Sequence, residues 1–238
     1  MNLSNNEKYN SKTVFVRRHG RSLNTERTEA LGELLPLLEI NHDLITINAD
    51  INPIDLFDKK NKEIWMEIGF GNGEHVKAML ERHPDHGYIA VEPFVNGMAA
   101  FFKSIKDTDL KNVRVWMDDA VDVVKSLQDA SLDGMYILNS DPWPKTKHHK
   151  RRIVRPETLN HYSRVLKDNA LLIMSTDVDE LAEWMAISSQ NHPDFEWCAE
   201  KSDDWKTMPD DWFQTRYEIK GIKAGRKQSY LYFIRKCR

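Results

Sequence analysis

The chain has 238 residues, a formal net charge of −3 and 30% charged residues, which is typical of a globular protein and leaves nucleic-acid binding to local patches. Its two cysteines, Cys198 and Cys237, lie far apart and outside any CxxC or histidine-rich spacing, which argues against a disulfide framework and a zinc site. No apolar run approaches the length of a membrane span, and the first residues lack the apolar core of a signal peptide. We therefore expect a cytoplasmic protein with neither a metal nor a membrane partner.

The amino-terminal segment divides into a polar arm and a basic stretch. The polar composition of residues 1–12 predicts a disordered arm. We expect residues 13–238 to form a single domain with a basic extension at its start. The stretch from 12 to 21 holds four cations and no acid. Because phosphate contacts need cations without intervening carboxylates, Arg17 and Arg18 are candidate RNA-binding residues. A solvated leader with no partner is the alternative.

The first predicted helix runs from Thr25 to Leu38, where apolar residues recur at helical spacing. Pro36 is expected to break or bend this helix near its end. Residues 41–63 form a mixed segment with turn signals, and an apolar strand is predicted over Ile64 to Ile68.

Glycines follow this strand at alternate positions, Gly69, Gly71 and Gly73, before a predicted helix. They let the chain turn and pass closely over a ligand, so they are candidate cofactor-binding residues, and strand, turn and helix together are the opening unit of a doubly wound α/β sheet. The spacing is GxGxG, whereas dinucleotide-binding dehydrogenases usually show GxGxxG. Glu74 takes the third-glycine position and would repel a phosphate. A cofactor without phosphates therefore fits better.

Acidic residues are expected around the ends of the first three strands. Glu92 follows the second strand, where a carboxylate can accept hydrogen bonds from both hydroxyls of a ribose. Glu67 precedes the glycines and could face a sulfonium or amino group, and Asp118 and Asp119 follow the third apolar run, where an acid could reach an adenine amino group. For each acid alone, a solvated loop carboxylate is an equal alternative. Their recurrence at successive strand ends favours one pocket.

Strands and helices alternate through the rest of the chain. Helices are predicted over 93–105, 120–127 and 157–166, and strands over 135–138, 170–174, 195–198 and 229–234. This order predicts an α/β fold with a mostly parallel sheet and helices on both faces.

The fourth strand ends in Asn139-Ser140-Asp141-Pro142-Trp143-Pro144-Lys145, at the edge where open α/β sheets place their active sites. Trp143 offers a stacking face for a flat base beside the Asp141 carboxylate. From Lys145 to Arg155 there follow six Lys or Arg residues and two histidines without an acid. Such a run is usually a solvated face, but its origin at the catalytic edge favours a surface for a polyanion.

In this order and spacing, the motifs EIGFGNG, VEPFVNG, DDA, DPWPK followed by HHKRR, STD and TRYE resemble those of the bacterial tRNA (guanine-N7-)-methyltransferase family. The resemblance extends from Val14 to Ile234, and DPWPK with the basic run plus TRYE is its most specific part. It implies a Rossmann-like, seven-stranded class I methyltransferase sheet that is mostly parallel with a C-terminal antiparallel hairpin. It also implies methyl transfer from S-adenosylmethionine to the 7-nitrogen of a guanine in the tRNA variable loop, usually position 46.

The resemblance further implies roles for individual residues. The acids of the cofactor site would be Glu67, Glu92, Asp119 and Asp141, and Asp141 would also be catalytic. The substrate contacts would be Lys145, Asp177, Thr215, Arg216, Tyr217 and Glu218. The RNA contacts would be Lys147, His148, His149, Lys150, Arg151 and Arg152. tRNA is the expected partner, and a monomer or homodimer is the expected state.

Asn139 and Ser140 depart from the family, which commonly has an aromatic residue and a proline at these positions. The departure alters the floor of the site and bears on substrate fit or rate more than on cofactor binding. Two alternatives stay open: methylation of an exocyclic amine, because the sequence around Asp141 loosely echoes the loop of amino-methyltransferases, and a non-catalytic RNA-binding protein on the same fold. The GxGxG spacing disfavours a nicotinamide dehydrogenase.

Overall fold

The computed structural model describes residues 18–46, 49–57, 61–108, 110–201 and 203–238. The predicted arm over residues 1–12 and the RNA-binding role of Arg17 lie outside these ranges. The interpretation of residues 13–238 as a single domain stays a prediction.

A single mixed sheet is built from the strands of the described chain. These are β1 (Ile64–Ile68), β2 (Gly87–Val91), β3 (Val113–Trp116), β4 (Leu132–Leu138), β5 (Leu166–Thr176), β6 (Phe195–Trp197) and β7 (Ser229–Arg235). The strand order is β3-β2-β1-β4-β5-β7-β6, and β1 to β5 run parallel to one another. β7 is antiparallel to both β5 and β6. The predicted seven-stranded sheet with a C-terminal antiparallel hairpin is confirmed.

Helices cover both faces of the sheet, as predicted. They are α1 (Thr25–Leu38), α2 (Glu74–Arg82), α3 (Val95–Ile105), α4 (Ala120–Ser126), α5 (Pro156–Val165), α6 (Asp179–Gln190) and α7 (Arg216–Lys223). One apolar cluster joins α1, α2 and α3 to the sheet, and a second joins α4, α5 and α6 to it. Burial of these two clusters supplies the main driving force for folding.

Helix α1 begins after Asn24, whose side chain accepts a hydrogen bond from the Arg27 N–H. The predicted break near Pro36 is not observed, because the helix continues through that residue to Leu38. Buried Leu34 and Leu38 hold its last turns against the core, which outweighs the local preference of proline.

Two further elements differ from the sequence prediction. β5 begins at Leu166 rather than at residue 170. The sequence prediction missed this start because Lys167, Asp168 and Asn169 are polar and do not show the apolar pattern of a buried strand. No helix was predicted between the last two strands, but the polar residues 215–218 begin helix α7 there.

The parallel strands bring their carboxyl ends to one edge of the sheet, which we call the carboxyl edge. β7 starts at this edge, because Ser229 at its beginning pairs with Thr176 at the end of β5. Residues that precede β7 therefore meet those that follow β1, β4 and β5, and this meeting point forms the candidate site.

Candidate active site

The glycine turn after β1 has backbone angles that favour glycine, with φ of +76° at Gly69, +59° at Gly71 and +74° at Gly73. A Cβ atom at Gly69 or Gly71 would meet nothing within 4 Å, so the turn is open on that side. A Cβ at Gly73 would lie 2.2 Å from the ring of Phe101, so Gly73 permits close packing instead. A Cβ at Gly97 of α3 would lie 2.3 Å from the Gly71 carbonyl oxygen, so α3 supports the turn directly.

A cavity of about 620 Å³ lies beside this turn at the carboxyl edge. Its volume suits a small-molecule ligand. The cavity wall includes five of the seven predicted cofactor residues: Gly69, Gly71, Glu92, Asp119 and Asp141. Three cations of the basic run, Lys150, Arg151 and Arg155, line the same cavity. The structure therefore brings the glycine turn, the strand-end acids and part of the basic run together.

Glu92 is buried at the end of β2 and is fixed by the glycine turn. Its Oε2 accepts a hydrogen bond of 2.7 Å from the Gly71 N–H, and its Oε1 accepts one of 2.9 Å from the Phe94 N–H. Burial raises the pKa of Glu92 to about 7, although both backbone N–H groups act to lower it. The carboxyl group is thus positioned in the cavity and titrates near neutral pH.

The acids after β3 have separate roles. Asp119 caps helix α4, where its side chain accepts a hydrogen bond of 2.9 Å from the Val121 N–H, and it lines the cavity. Asp118 accepts hydrogen bonds from Asp119 N–H at 2.8 Å and from Arg18 Nη2 at 2.5 Å. Arg18, a predicted RNA contact, therefore ties the amino-terminal segment to the carboxyl edge in this structure.

Glu67 does not line the cavity. It lies within β1 with a side chain only 5% exposed, and its Oε2 is 2.6 Å from Nδ1 of His75 in helix α2. The ring of His75 packs against Tyr136 at a centroid distance of 4.6 Å. The predicted contact between Glu67 and a cationic ligand is replaced here by a buried pair with His75.

The loop after β4 holds two residues in the left-handed backbone region, Asn139 with φ of +50° and Trp143 with φ of +43°. Asparagine tolerates this conformation better than most residues, whereas for tryptophan it is strained. Asn139 is also held by its N–H, which donates to the Ser175 carbonyl oxygen at 2.8 Å, and by its Oδ1, which accepts from Gln228 Nε2 at 2.8 Å. Between these two residues, Asp141 lies on the cavity wall, and partial burial raises the pKa of its carboxyl group.

Trp143 connects this loop to the basic run. The guanidinium of Arg151 lies 4.9 Å from the centre of the Trp143 ring, and the ring of His148 meets it edge-on at 5.8 Å. Residues Thr146–Arg151 form a 3₁₀-helix, and Lys145, Lys147 and Lys150 are exposed on it or just before it. Desolvation lowers the pKa of His148, and the cations around it lower that pKa further.

Arg152 requires a correction to the predicted RNA contacts. Its side chain is only 1% exposed, so it cannot reach a phosphate. Its Nε donates to the Pro142 carbonyl oxygen at 2.9 Å, its Nη2 donates to Glu180 Oε1 at 2.6 Å, and its guanidinium lies over the ring of Trp184. Arg152 therefore fixes the loop around Asp141 to helix α6.

Like Arg152, His149 packs against helix α6. Its ring meets that of Trp184 at a centroid distance of 5.2 Å, and its Nε2 is 3.5 Å from Glu180 Oε1. It belongs to the contact between the basic run and α6 more than to the exposed surface.

The predicted substrate residues around α7 are gathered at the carboxyl edge. Thr215 caps the helix by accepting a hydrogen bond of 3.3 Å from the Glu218 N–H. Arg216 pairs with Glu74 at the start of α2, and Tyr217 is 55% exposed. Asp177 follows β5 and pairs with Arg226 at 2.6 Å.

Glu218 differs from the other members of this cluster. It is 1% exposed and accepts hydrogen bonds from Trp212 Nε1 at 2.9 Å and from the Tyr230 hydroxyl at 2.8 Å. The predicted substrate contact does not fit this burial. Glu218 instead holds α7 against β7.

Sequence reasoning missed two residues that shape the site, His75 and Gln228. His75 gave no signal beyond its helical position, and its contact with Glu67 depends on how α2 packs on β1. Gln228 precedes a predicted strand, and its contact with Asn139 depends on the strand order, which periodicity does not reveal. Nowhere in the described chain do three or more His, Cys, Asp or Glu side chains form a potential metal cluster. No helix in the described ranges is long and apolar enough to cross a membrane.

Comparison with known proteins agrees with this geometry. A solved 16S rRNA methyltransferase matches with a TM-score of 0.51 at 13% identity, over 74% of this chain and 88% of that chain, which shows a common fold. A family model described as "Putative methyltransferase" matches residues 61–231. The fold is that of a class I methyltransferase.

The names of the curated relatives identify a narrower family than the family model does. A tRNA (guanine-N(7)-)-methyltransferase of Bartonella quintana is 40% identical over 228 residues, which cover 95% of this chain and 97% of the relative. The protein of the same name from Agrobacterium fabrum is 38% identical over 226 residues, 95% of this chain and 96% of the relative. The chain belongs to the bacterial tRNA (guanine-N7-)-methyltransferase family.

Proposed function

We propose that this protein transfers a methyl group from S-adenosylmethionine to the 7-nitrogen of a guanosine in the variable loop of tRNA, at position 46. The observation that carries the proposal is that Lys150 and Arg151 of the basic run line the same cavity as Gly71, Glu92 and Asp141. A polyanion attracted by the basic run would therefore arrive at the mouth of the cofactor cavity. The names of the curated relatives support the same substrate.

The cavity wall has the chemistry that S-adenosylmethionine requires. Gly69 and Gly71 leave the turn open to a ligand, and each oxygen of Glu92 accepts one backbone hydrogen bond. A carboxylate has about four acceptor positions, so Glu92 retains capacity for the two ribose hydroxyls. Asp119 is available to the adenine amino group. When bound, the cofactor supplies an electrophilic methyl group on a positively charged sulfur.

Asp141 is the proposed catalytic residue. The 7-nitrogen of guanine has a lone pair at neutral pH, so the reaction needs no general base. Asp141 orients the edge of the guanine, and its negative charge stabilises the positive charge that develops on the purine. The constrained backbone at Asn139 and Trp143 fixes the position of Asp141 before the substrate binds, which reduces the entropy lost on reaching the reactive geometry.

Four cations of the basic run are the proposed phosphate contacts. They are the exposed Lys145, Lys147 and Lys150 and the half-buried Arg151, with Lys145 closest in sequence to Asp141. In the TRYE cluster, Tyr217 is exposed and is the proposed contact to the target nucleotide or its neighbour. Asp177 could join it only by sharing its carboxylate between Arg226 and the substrate. We place this activity in the cytoplasm, where the enzyme acts as a monomer or homodimer.

A methyl-transfer assay tests the proposal. Unmodified tRNA would be incubated with the protein and labelled S-adenosylmethionine, beside a transcript whose variable-loop guanine is replaced by adenine. We expect label only in the first transcript and, after nuclease digestion and mass spectrometry, only as 7-methylguanosine. A methyl group on an exocyclic amine would reassign the reaction. Failure to bind the cofactor in a calorimetric titration would indicate a non-catalytic RNA-binding protein.

A further inference from the structure

Helix α7 is fixed to the carboxyl edge at both of its ends. At its start, the N–H of Arg216 donates to Glu74 Oε2 at 2.6 Å, and its Nε donates to Glu74 Oε1 at 2.5 Å. Beyond its end, Arg226 Nε donates to Asp177 Oδ2 at 2.6 Å. Glu74 opens α2 directly after the glycine turn, and Asp177 follows β5. The α7 segment is therefore hydrogen-bonded to α2 at its start and to the residue after β5 beyond its end.

A third contact joins the same segment to the catalytic loop, because Gln228 donates to Asn139, two residues before Asp141. The inward face of the helix is closed by Glu218 and Gly221, which are both buried. With the inward face and both ends fixed, the outward face of α7 keeps one orientation relative to Asp141.

That outward face is positively charged. Arg216, Lys220 and Lys223 follow one another at i, i+4 and i+7, which places them on one side of a helix, and Lys227 lies in the turn that follows. All four side chains are exposed, and that of Arg216 is 82% exposed even in its pair with Glu74. Within the described part of the chain, no carboxylate forms an ion pair with the three lysines. We call these four residues the α7 basic face.

The start of α7 and the basic run are held towards opposite faces of the sheet. The basic run is held to α6 through Arg152 and Glu180, on the side covered by α4, α5 and α6. The start of α7 is held to α2 through Arg216 and Glu74, on the side covered by α1, α2 and α3. The segment after α7 contacts the loop that carries Asp141 through Gln228 and Asn139, and the basic run contacts the other end of that loop through Arg151 and Trp143.

We propose that the α7 basic face is a second tRNA-binding surface, which binds backbone phosphates on the other side of the target nucleotide from those bound by the basic run. The inference rests on the proposed function, because it identifies the polyanion as tRNA. A nucleic-acid strand that passes over the carboxyl edge from one positive surface to the other brings its middle nucleotide to Asp141. Phosphate contacts on both sides fix the register of the strand, while the cavity and the loop around Asp141 select the base.

A salt-dependence experiment with matched lysine variants tests this surface. The test variant is Lys223→Gln/Lys227→Gln, and the control variant is Lys62→Gln/Lys236→Gln. Lys62 precedes β1 and Lys236 follows β7, so both control residues are exposed at the opposite edge of the sheet. Each pair removes two positive charges, so the variants differ in location and not in net charge. A third variant, Lys147→Gln/Lys150→Gln, removes two charges from the basic run.

Dissociation constants for unmodified tRNA would be measured from about 50 to 200 mM salt, with calorimetric titration of S-adenosylmethionine and thermal melting as checks on folding. We expect the test variant to bind tRNA roughly tenfold more weakly at low salt and to lose about one to two units of the salt slope. The basic-run variant should lose a similar amount, the combined variant the sum of both, and the control variant nothing. Cofactor affinity should stay unchanged in the test and control variants, whose residues do not line the cavity.

The outcomes separate this inference from the proposed function. If wild-type protein methylates tRNA while the test variant keeps the wild-type slope, the second surface is overturned and the function stands. An equal loss in the control variant would also overturn it, because the effect would then reflect net charge alone. If wild-type protein neither binds nor methylates tRNA, the proposed function fails first.

Discussion

Gln228 Nε2 donates a hydrogen bond of 2.8 Å to Asn139 Oδ1, which joins the residue before β7 to the loop that carries Asp141. Asn139 is one of the two residues that depart from the family pattern, and it has a φ of +50°. Asparagine suits this position because it tolerates the left-handed backbone and because its amide oxygen can accept the bond from Gln228. The contacts of Asn139 therefore fit asparagine at this position.

We expect the Gln228→Met substitution, which keeps the size of the side chain and removes its donor, to reduce turnover several-fold with little change in cofactor affinity. Asn139→Gly also removes the hydrogen bond but keeps the backbone conformation accessible, so it should have a similar effect. Asn139→Ala adds backbone strain and should destabilise the protein by a further 1 kcal/mol or so. Single-turnover kinetics and thermal melting measure these effects. Equal turnover in wild type and Gln228→Met would mean that the bond does not position Asp141.

Asp141→Ala should lower the rate of methyl transfer by on the order of 100-fold, comparable to the loss of one electrostatic stabiliser in an active site. Cofactor affinity should change little, because Gly71, Glu92 and Asp119 remain in the cavity wall. Asp141→Asn keeps the shape and removes the charge, and should be almost as slow. Stopped assays with labelled cofactor would measure the rate, and calorimetry the affinity. Wild-type turnover in either variant would remove Asp141 from the mechanism.

The raised pKa of Glu92 makes stability depend on pH. In the folded protein that pKa is about 7, whereas an unfolded chain has the ordinary glutamate value. Between these two values the folded state binds a proton that the unfolded state has released, so the free energy of unfolding should fall as pH rises towards 7. Relative to Glu92→Gln, the wild type should lose stability on the order of 2–3 kcal/mol between pH 4.5 and 8. Denaturant titrations at both pH values measure this difference.

The same titration predicts the pH dependence of cofactor binding. The ribose hydroxyls donate hydrogen bonds to Glu92, so binding favours the ionised carboxylate and should weaken by up to tenfold per pH unit below about 7. Glu92→Gln should bind more weakly at pH 8 and show no such slope. A flat wild-type profile between pH 5.5 and 8 would contradict the assignment of Glu92 to the ribose.

Arg152 and Lys150 are two residues apart in the basic run and should behave in opposite ways. Arg152→Met should destabilise the protein by about 1–3 kcal/mol, because the Pro142 carbonyl and the Glu180 carboxylate lose their donor, and should leave the salt slope of tRNA binding unchanged. Lys150→Gln should leave stability unchanged and reduce the slope by roughly one unit. Melting curves and binding at several salt concentrations separate the two. A reduced slope in Arg152→Met would show that its guanidinium reaches the RNA.

The sequence predicted those parts of the fold and site that depend on residues close together in the chain. The glycine turn, Glu92 after β2 and Asp141 after β4 follow from local patterns, because parallel strands bring their ends to one edge. Arg152 shows the limit, since the six cations between Lys145 and Arg155 look equally exposed in the sequence, whereas packing against α6 buries Arg152. The burial of Glu218 and Glu67 could not be predicted either. Glu218 bonds to Tyr230 and Glu67 to His75, and these contacts depend on how helices and strands pack, which periodicity does not reveal.

The position of β7 between β5 and β6 has a consequence for synthesis of the protein. Among the described strands β6 pairs only with β7, although β6 precedes it in the chain. During synthesis, β6 therefore leaves the ribosome before its pairing partner β7. Until the segment with α7 and β7 has emerged, β6 has no partner strand and one edge of β5 is unpaired. The half of the sheet that holds the glycine turn can assemble earlier, so a nascent chain would acquire its cofactor cavity before it acquires the far wall of its RNA site.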